Sequence, residues 1–370
     1  MLDNYHLNQL AEPLLAWFVD HARVLPWRER PEPYRVWVSE IMLQQTRVEA
    51  VKPYYERFLK ALPDVAALAA CPEDQLMKLW EGLGYYNRVR NMQKAAVTVT
   101  EEYDGVLPAD YGKLLELKGI GSYTAGAIAS IAYGIPVPAV DGNVLRVVSR
   151  LTGSYLDIAK QSTKKVIEEY LKELMPFAAP AAFNQALMEL GALVCLPNGA
   201  PKCERCPWRE VCVANQEQLT SEIPVKAKKA KQRVEQYTVL LLLKEGEQEY
   251  QVIIEKRPEK GLLAGLWQFP MLPGKQTKKG VEQELQKQGI KKPVSLTKGP
   301  QAKHVFSHII WQMDSYVVML EDTADPLEIN GEPLTYVTLT DLKEQYSIPS
   351  AFAVYKKWLL ENMQSEKRGE

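Results

Sequence analysis

Residues 114–132 read "LLELKGIGSYTAGAIASIA", and the prediction of the fold starts from this stretch. Apolar side chains at helical spacing lie on both sides of a Gly-Ile-Gly sequence at 119–121. Glycine permits the backbone angles of a tight turn, so one helix should end near Leu117 and the next should begin at Ser122 or Tyr123. The stretch therefore predicts two helices joined by a short turn with one apolar residue at its centre.

Two interpretations of this turn remain open. An ordinary turn between two helices would also use glycines such as Gly119 and Gly121. Alternatively, the N-terminus of the second helix presents unpaired backbone N–H groups to an anion. In that case 114–132 resembles the helix-hairpin-helix that binds a DNA phosphate.

The composition is that of a globular protein with more than one domain. The chain has 370 residues, of which 46% are hydrophobic and 25% are charged, with a net charge of −1. This balance argues against a protein that coats DNA through a broad basic face, but it allows a few local phosphate contacts. The first residues lack the pattern of a signal peptide, and no apolar run is long enough for a membrane span. We therefore expect a cytoplasmic protein.

The pattern of apolar residues divides the chain into two halves. Helical spacing extends from about residue 5 to residue 215, whereas β-like runs begin near Glu235. The lysine-rich segment between them is either a solvated linker or a linker that also follows a phosphate backbone. We expect a helical domain at 1–215, a linker at 216–234, an α+β domain at 235–362 and a tail at 363–370.

Four of the five cysteines lie in residues 195–212, "CLPNGAPKCERCPWREVC". The gaps between them are seven, two and five residues. Two disulfides are not expected in a reducing compartment, so a metal site is the better interpretation. The spacing alone does not decide between structural Zn²⁺ and a [4Fe–4S] cluster. The ligands in either case are Cys195, Cys203, Cys206 and Cys212.

Asp141 is predicted at the start of a helix. In "VPAVDGNVLRVVSRL" (137–151), apolar residues recur at helical spacing from Val144, so a helix should begin near Gly142 with Asp141 as its N-cap. Most aspartates at this position only cap the helix. The alternative is that the helix dipole and the N–H donors keep the carboxylate ionised, so that it faces a developing cation.

Glu40 is predicted on a buried helix. The stretch "YRVWVSEIMLQQTRV" (34–48) is apolar on both sides of Glu40, which is typical of an enclosed helix. Burial would raise the pKa of Glu40 and suit it to general acid catalysis, unless it is only paired with an arginine. A protonated and an ionised carboxyl are the pair that glycoside hydrolases use to cleave glycosidic bonds.

Further stretches resemble the adenine DNA glycosylase (MutY) branch of the endonuclease III superfamily. They are "LPWR" (25–28), "SEIMLQQT" (39–46), "GLGYYNRVRN" (82–91), "FNQALMELGALVC" (183–195), "GLWQFP" (265–270) and "HVFSH" (304–308). The resemblance implies an all-α helix-hairpin-helix glycosylase domain with a [4Fe–4S] cluster loop, followed by a Nudix-like α+β domain. It also implies a monomer, associated with the nucleoid, that removes adenine mispaired with 8-oxoguanine or guanine in double-stranded DNA.

The resemblance assigns roles to individual residues. Glu40 would protonate the flipped adenine and Asp141 would stabilise the sugar cation, while Tyr123 and Asn143 would support them. Trp27 and Arg28 would help to form the adenine pocket. Gln45 and Tyr85 would wedge into the base stack around 8-oxoguanine. Ser307 would read the altered edge of 8-oxoguanine. The complete set for substrate and DNA binding is Trp27, Arg28, Gln45, Thr46, Tyr85, Gly119, Gly121, Gln185, Phe306, Ser307 and His308.

The sequence departs from the family pattern in two places, and two further positions are informative. The first cysteine gap is seven residues where the family usually has six, and residue 185 is glutamine where some relatives have glutamate.

Tyr123 stands where relatives that nick the strand carry a lysine. A phenol cannot form an imine, so we predict a monofunctional glycosylase. The Nudix-like helix offers Glu282 and Glu284 alone, too few carboxylates for pyrophosphate hydrolysis.

Two other functions remain open on the sequence alone. The first is an endonuclease III-like glycosylase for oxidised pyrimidines, which borohydride would trap as a covalent adduct. The second is a non-catalytic lesion sensor with an iron–sulfur centre, which would bind DNA without releasing a base. Intact Glu40 and Asp141 argue against the sensor.

Overall fold

The computed structural model describes residues 7–227, 231–288, 293–321, 328–329 and 332–363. Its chain divides into two compact units: unit 1 is Met1–Cys71 with Asn87–Lys228, and unit 2 is Pro72–Tyr86 with Lys229–Glu370. Residues 228–230 of the predicted linker, and the predicted tail beyond Met363, lie outside the described residues. The predicted domain boundaries stay predictions. They placed residues 72–86 in the helical domain, whereas these residues belong to the same compact unit as the C-terminal residues.

Helices make up unit 1 in the residues described, and they cover the segments with apolar residues at helical spacing. The helices of the whole chain are α1 (Leu7–His21), α2 (Pro26–Glu29), α3 (Pro33–Leu43), α4 (Val48–Ala61), α5 (Val65–Ala70), α6 (Glu73–Leu79), α7 (Asn87–Glu102), α8 (Tyr111–Glu116), α9 (Ser122–Ala127), α10 (Gly142–Leu151), α11 (Gln161–Leu174), α12 (Pro180–Leu193), α13 (Val213–Gln216), α14 (Lys278–Lys287), α15 (Leu339–Glu344) and α16 (Ala353–Asn362). Of these, α6 and α14–α16 belong to unit 2. Among the described helices none is long and apolar enough to cross a membrane.

The core of unit 1 next to Asp141 forms where α10 and α12 pack against α1. The apolar stripe predicted from Val144 is buried along α10, and it contacts Leu187 of α12 and Leu14 of α1 within one cluster. Such a cluster stabilises the helices far more than their intrinsic propensities do. It therefore holds the N-terminus of α10, where Asp141 lies, in a fixed place.

The predicted hairpin at 114–132 is confirmed. Helix α8 ends at Glu116 and α9 begins at Ser122, with Ile120 buried between them at 5% exposure. Gly119 has a φ of 81°, and a Cβ atom there would lie 2.7 Å from Cβ of Asn91. The helix that starts with α9 continues as a π-helical turn over Ile128–Ala132, a widening that is often found at functional sites.

Unit 2 is built on a mixed β-sheet. Its strands are β1 (Arg233–Lys244), β2 (Gln251–Lys256), β3 (Trp267–Gln268), β4 (Met271–Pro273), β5 (Ser295–Lys298), β6 (Ala302–Val305), β7 (Ile309–Met319), β8 (Glu328–Ile329) and β9 (Glu332–Thr338). The order β5-β7-β1-β2-β9-β8 runs across the sheet, and β3, β4 and β6 pair with β2, β1 and β7. Strands β1 and β7 are parallel, with Arg233 opposite Ile309, and the other pairs are antiparallel.

Helices cover both faces of this sheet, so the strands are buried on both sides. On one face Tyr355 and Leu359 of α16 pack against the sheet, and on the other Val281 and Leu285 of α14 do so. The β-like runs predicted from near Glu235 begin with β1 and β2, which lie on both sides of Glu245 and Gly246. Phe269 is fully buried in the core of this unit. The α+β architecture predicted for this half is confirmed.

The hairpin generates a stability prediction for its two glycines. Gly119→Ala should lower the free energy of unfolding by about 1–3 kcal/mol, because φ is positive there and the new Cβ would overlap Asn91. Gly121→Ala is the matched control: Gly121 has an ordinary φ of −96° and open space around its Cβ position, so its effect should be smaller, about 0.5–1 kcal/mol, which is the cost of alanine in place of glycine at an N-cap. Urea unfolding of both variants measures the difference, and equal destabilisation would contradict this account of the turn.

Candidate active site

A cavity of about 550 Å³ in unit 1 gathers most of the residues predicted for catalysis and adenine binding. Residues from α2, α3, α9, α10 and α12 line it. The predicted residues among them are Trp27, Arg28, Glu40, Gln45, Thr46, Tyr123, Asp141, Asn143 and Gln185. Gly119 and Gly121 lie in the hairpin turn, and Tyr85 and Phe306 to His308 lie in unit 2.

Glu40 is enclosed, as predicted. Its exposure is 5%, and the hydroxyl group of Tyr123 donates a hydrogen bond to its Oε2. Burial raises the pKa of Glu40 to about 7, although the hydrogen bond from Tyr123 acts in the opposite direction. Burial also raises the pKa of Tyr123 well above its ordinary value, so the phenol keeps its proton. Near neutral pH, Glu40 can therefore both hold and release a proton.

Arg88 binds the C-terminal end of the helix that carries Glu40. Its Nη1 donates to the carbonyl oxygens of Ile41 and Gln44, both at 2.6 Å, and so satisfies carbonyls that the end of α3 leaves unpaired. Gln45 follows with a φ of 60°, a conformation that costs a non-glycine residue about 1–3 kcal/mol. This turn places Gln45 on the surface and Thr46 half-buried beside the cavity.

Asp141 caps α10, as predicted. Its Oδ1 accepts a hydrogen bond from the backbone N–H of Val144 at 2.8 Å, and its Oδ2 accepts one from Nδ2 of Asn143 at 2.8 Å. The helix N-terminus and its N–H donors do not bring the pKa of Asp141 below its ordinary value. Burial raises the pKa of Asp141, and the hydrogen bonds from Val144 and Asn143 offset that rise in part. The two carboxyls are thus shifted in the same direction, and the cap limits the shift of Asp141.

Arg146 connects Asn143 to the cysteine loop. Its Nη2 donates to Oδ1 of Asn143 at 2.9 Å, and its Nε donates to the carbonyl oxygen of Cys195 at 2.8 Å. Arg146 is itself buried, at 7% exposure. Because Oδ1 of Asn143 accepts the hydrogen bond from Arg146, the amide group is oriented with its Nδ2 toward Asp141.

The lining of the cavity also contains a buried ion-pair network that the sequence did not predict. Glu189 is fully buried and accepts hydrogen bonds from Nε of Arg23 at 2.6 Å and from Nη2 of Arg28 at 2.8 Å. Burial alone would raise the pKa of Glu189, but the two guanidinium groups hold it below its usual value. Arg28, predicted to contact adenine, is thus oriented by Glu189.

A signal for this network was present in the sequence. Glu189 is the one charged residue in the sequence of the helix at 179–194, and a carboxylate on a buried helix requires a cationic partner. The pattern does not say which arginine supplies it, because Arg23 is 166 residues away along the chain. Lys164 of α11 also lines the cavity and was missed; its Nζ lies 3.8 Å from Oε1 of Glu168.

The four predicted metal ligands surround one small cavity. Cys195, Cys203, Cys206 and Cys212 are free thiols that line a space of about 30 Å³ together with Trp208. Burial raises the pKa of Cys206 to about 12, and the other three thiols add to that shift because they are close by. In the part of the chain that is described, no group of three or more His, Cys, Asp or Glu side chains is arranged as a metal site. The donor set still fits a group that takes four thiolates.

A buried arginine, Arg150, lines the cysteine cavity and contacts one of the thiols. Nη1 of Arg150 lies 3.4 Å from Sγ of Cys195 and donates to the carbonyl oxygen of Leu196 at 2.9 Å. Arg150 is 5% exposed, and its charge partly opposes the rise that burial causes in the pKa of Cys203. Hydrogen bonds to sulfur of this kind also adjust the potential of iron–sulfur groups.

The predicted lesion-reading residues form the turn between β6 and β7. The N–H of Phe306 donates to the carbonyl oxygen of Ile309 at 2.8 Å, which closes the turn. The ring of Phe306 packs against Trp311 at 4.9 Å, while Ser307 and His308 are exposed. Tyr85 is also half-exposed, at 50%. These side chains are held at the surface of unit 2, where they can contact a ligand.

Comparisons with known families match both units. The HhH-GPD superfamily of base excision DNA repair proteins matches residues 38–177, and the NUDIX domain matches residues 238–357. The human adenine DNA glycosylase is 35% identical over 86% of this chain and 70% of its own length. The adenine DNA glycosylase of Schizosaccharomyces pombe is 33% identical over 91% of this chain and 86% of its own length.

Solved structures agree with the fold of unit 1. A thermostable thymine-DNA glycosylase is similar with a TM-score of 0.52 and 27% identity, covering 57% of this chain and 97% of its own. An endonuclease III in a non-covalent DNA complex has a TM-score of 0.50 and 23% identity, covering 58% of this chain and 99% of its own. The likeness to endonuclease III shows the fold alone.

Proposed function

Because the chain belongs to the adenine DNA glycosylase family, we propose that it removes adenine mispaired with 8-oxoguanine or guanine from double-stranded DNA. The observation that carries this proposal is the pair of carboxyls in one cavity, Glu40 with a pKa of about 7 and Asp141 at a helix N-terminus. We further propose that one copy of the chain acts alone on nucleoid DNA in the cytoplasm.

Glu40 is the general acid in this proposal. Adenine leaves poorly as an anion, so a proton delivered to its five-membered ring lowers the barrier to breaking the N-glycosidic bond. Tyr123 donates to Oε2 of Glu40, which orients the carboxyl and leaves the other oxygen to carry the proton. The base must first leave the stack to reach this carboxyl, because the glycosidic carbon is inaccessible within the duplex.

Asp141 is the group that faces the sugar as positive charge develops on it. Its carboxylate either stabilises the oxocarbenium-like cation electrostatically or bonds to it transiently. Val144 and Asn143 hold both of its oxygens, so little reorganisation is needed at the moment of reaction. Tyr123 stands where a nucleophilic amine would be needed for strand nicking, and we propose a monofunctional enzyme.

Unit 2 is proposed to recognise 8-oxoguanine. Ser307 and His308 are exposed on a turn that the packing of Phe306 keeps rigid, which suits a hydrogen-bonding contact to an altered base edge. Gln45 and Tyr85 would enter the base stack. The helix α14 carries Glu282 and Glu284, and Glu284 is paired with Lys287 at 3.0 Å, which supports recognition rather than pyrophosphate hydrolysis.

The cysteine loop is proposed to hold a [4Fe–4S] cluster. Four thiols line one cavity, and Nη1 of Arg150 donates a hydrogen bond to Sγ of Cys195. The cluster, when bound, would hold the loop in shape. Lys202, Arg205 and Arg209 lie between the ligands in sequence and are exposed, so they can contact DNA phosphates.

The mispair specificity can be tested with a panel of duplexes that contain A:8-oxoguanine, A:G, A:T and an oxidised pyrimidine. We expect adenine release from the first two, with strand cleavage only after alkali. Asp141→Asn should reduce single-turnover release by about a hundredfold or more, because it removes the charge that opposes the cation. Release of the oxidised pyrimidine, or binding without any release, would instead support one of the two alternative functions.

The role of Glu40 predicts a particular pH dependence. Asp141 must be ionised to act, so single-turnover release should first rise with pH as this carboxyl, whose pKa burial raises, loses its proton. Glu40 must be protonated to act, so release should then fall as the pH rises through its pKa of about 7. Glu40→Gln should be slow at every pH and lose this fall. Glu169→Gln, an exposed glutamate on α11, is the control and should keep the wild-type profile. A profile that rises above pH 7 would assign Glu40 the role of a base.

The cluster proposal has a direct measurement. The purified protein should be brown and contain iron and acid-labile sulfide in equal amounts, because thiolate-to-iron charge transfer absorbs visible light. Cys206→Ser should lose most of the iron, whereas Cys71→Ser should retain all of it, since Cys71 lies outside the loop. A colourless protein that contains zinc would contradict the proposal.

A further inference from the structure

Residues 72–86 come from the middle of the helical half of the sequence, yet they belong to unit 2. They contain α6 and end next to Tyr85, which the proposed function places in the base stack. Unit 2 also carries Ser307. Tyr85 and the lesion-reading turn are therefore parts of one compact unit, although 222 positions of sequence separate Tyr85 from Ser307 (307 − 85).

Glu81 is the centre of the contacts that attach this segment. Its Oε1 accepts a hydrogen bond from Nζ of Lys356 at 2.7 Å and another from the backbone N–H of Ile348 at 3.0 Å. Its Oε2 accepts a hydrogen bond from Nζ of Lys78 at 2.8 Å. One carboxylate thus bonds α6, α16 and the residues that precede α16.

The side chains of this cluster are largely withdrawn from solvent. The exposed fractions of Lys356, Glu81 and Lys78 are 14%, 22% and 20%. Burial lowers the pKa of Lys356, and the hydrogen bond to Glu81 opposes that effect. Partly buried charges with several partners hold a more definite geometry than exposed pairs, which contribute little.

Lys78 adds two contacts to the backbone of unit 2. Its Nζ donates to the carbonyl oxygens of Lys343 at 2.6 Å and Tyr346 at 3.0 Å, at the end of α15. Its ammonium therefore has three acceptors, which is as many as it can bind with its three protons. The positive charge also suits the C-terminal end of α15.

The first turn of α6 is attached at a separate point. Oδ1 of Asp74 accepts a hydrogen bond from Nε1 of Trp267 at 3.3 Å, and Nζ of Lys256 lies 3.7 Å from the same oxygen. The ring of Trp267 in turn contacts that of Tyr346 at 5.1 Å. Two attachment points, one at each end of α6, prevent the helix from rotating on the unit.

A rigid turn connects Glu81 to Tyr85, so the place of Glu81 fixes the place of Tyr85. Trp80 is fully buried, and its Nε1 donates to the carbonyl oxygen of Gly84 at 3.0 Å. Gly82, Gly84 and Tyr85 have φ values of 99°, 69° and 48°, so the backbone follows a path that few sequences allow. The carbonyl that Trp80 binds belongs to the residue before Tyr85.

We infer that Glu81 and Lys356 are positioning residues, which hold Tyr85 in a fixed place on the unit that carries the lesion-reading turn. This inference rests on the proposed function, because it assumes that Tyr85 enters the base stack beside 8-oxoguanine. The ligand class is a duplex with a damaged purine. Tyr85 and Ser307 then engage the lesion together, and the contacts of Glu81 contribute to selectivity without touching DNA.

A double-mutant cycle tests this inference. Lys356→Met should raise the Kd for an A:8-oxoguanine duplex by about tenfold, while the Kd for an undamaged duplex changes less than twofold. In a Tyr85→Ala background the same substitution should have no further effect, because Lys356 acts through Tyr85. Fluorescence anisotropy with labelled duplexes measures all four proteins.

Two further variants separate positioning from a loss of folding. Lys356→Arg retains the charge and should restore most of the affinity, and Lys357→Met removes a charge from the neighbouring, 75% exposed lysine and should behave as wild type. Thermal unfolding of each variant identifies any that do not fold, and Glu81→Gln then replaces Lys356→Met in the cycle.

Four contrary results are possible, and they have two meanings. An unchanged Kd for Lys356→Met, or a full additional loss in the Tyr85→Ala background, would overturn the inference. If Tyr85→Ala itself leaves the Kd for the A:8-oxoguanine duplex unchanged, the proposed role of Tyr85 in the base stack fails instead. Loss of affinity for undamaged DNA in Lys356→Met would show a general electrostatic effect and would also overturn the inference.

Discussion

Three carboxyl groups are buried around one cavity, and the need to compensate their burial determines how the side chains of the helical unit are arranged there. A carboxylate withdrawn from water must gain hydrogen bonds or ion pairs, or it must take up a proton. The unit contains all three outcomes: Glu189 gains two arginines, Asp141 gains a helix N-terminus and an amide, and Glu40 is left with a phenol and a pKa of about 7. The group with the weakest compensation is the one suited to donate a proton.

This arrangement also explains why residues outside the cavity matter to it. Arg88 binds the C-terminal end of the helix of Glu40, and Arg146 orients the amide that faces Asp141 while it binds the backbone of Cys195. The cysteine loop and the cavity therefore share a buried arginine. A change in the loop that moves the carbonyl of Cys195 alters the hydrogen bonding of Asn143, two residues from Asp141.

The features that the sequence predicted are those that depend on local patterns. Periodicity indicated the helix of Glu40, and the start of α10 after Asp141 followed from the stripe at Val144. The features that it missed depend on contacts distant in sequence. No local pattern pairs Glu189 with Arg23. The N-cap position of Asp141 does not reveal its burial, which raises its pKa although the hydrogen bonds from Val144 and Asn143 oppose that rise.

The assignment of residues 72–86 to unit 2 has a consequence for the covalent integrity of the protein. The chain passes from one unit to the other after residues 71, 86 and 228. A protease that cuts between 219 and 227 divides the polypeptide but leaves unit 2 made of two fragments. The hydrogen bonds from Lys78 and Lys356 to Glu81 then become contacts between fragments, so the cut chain remains associated through them.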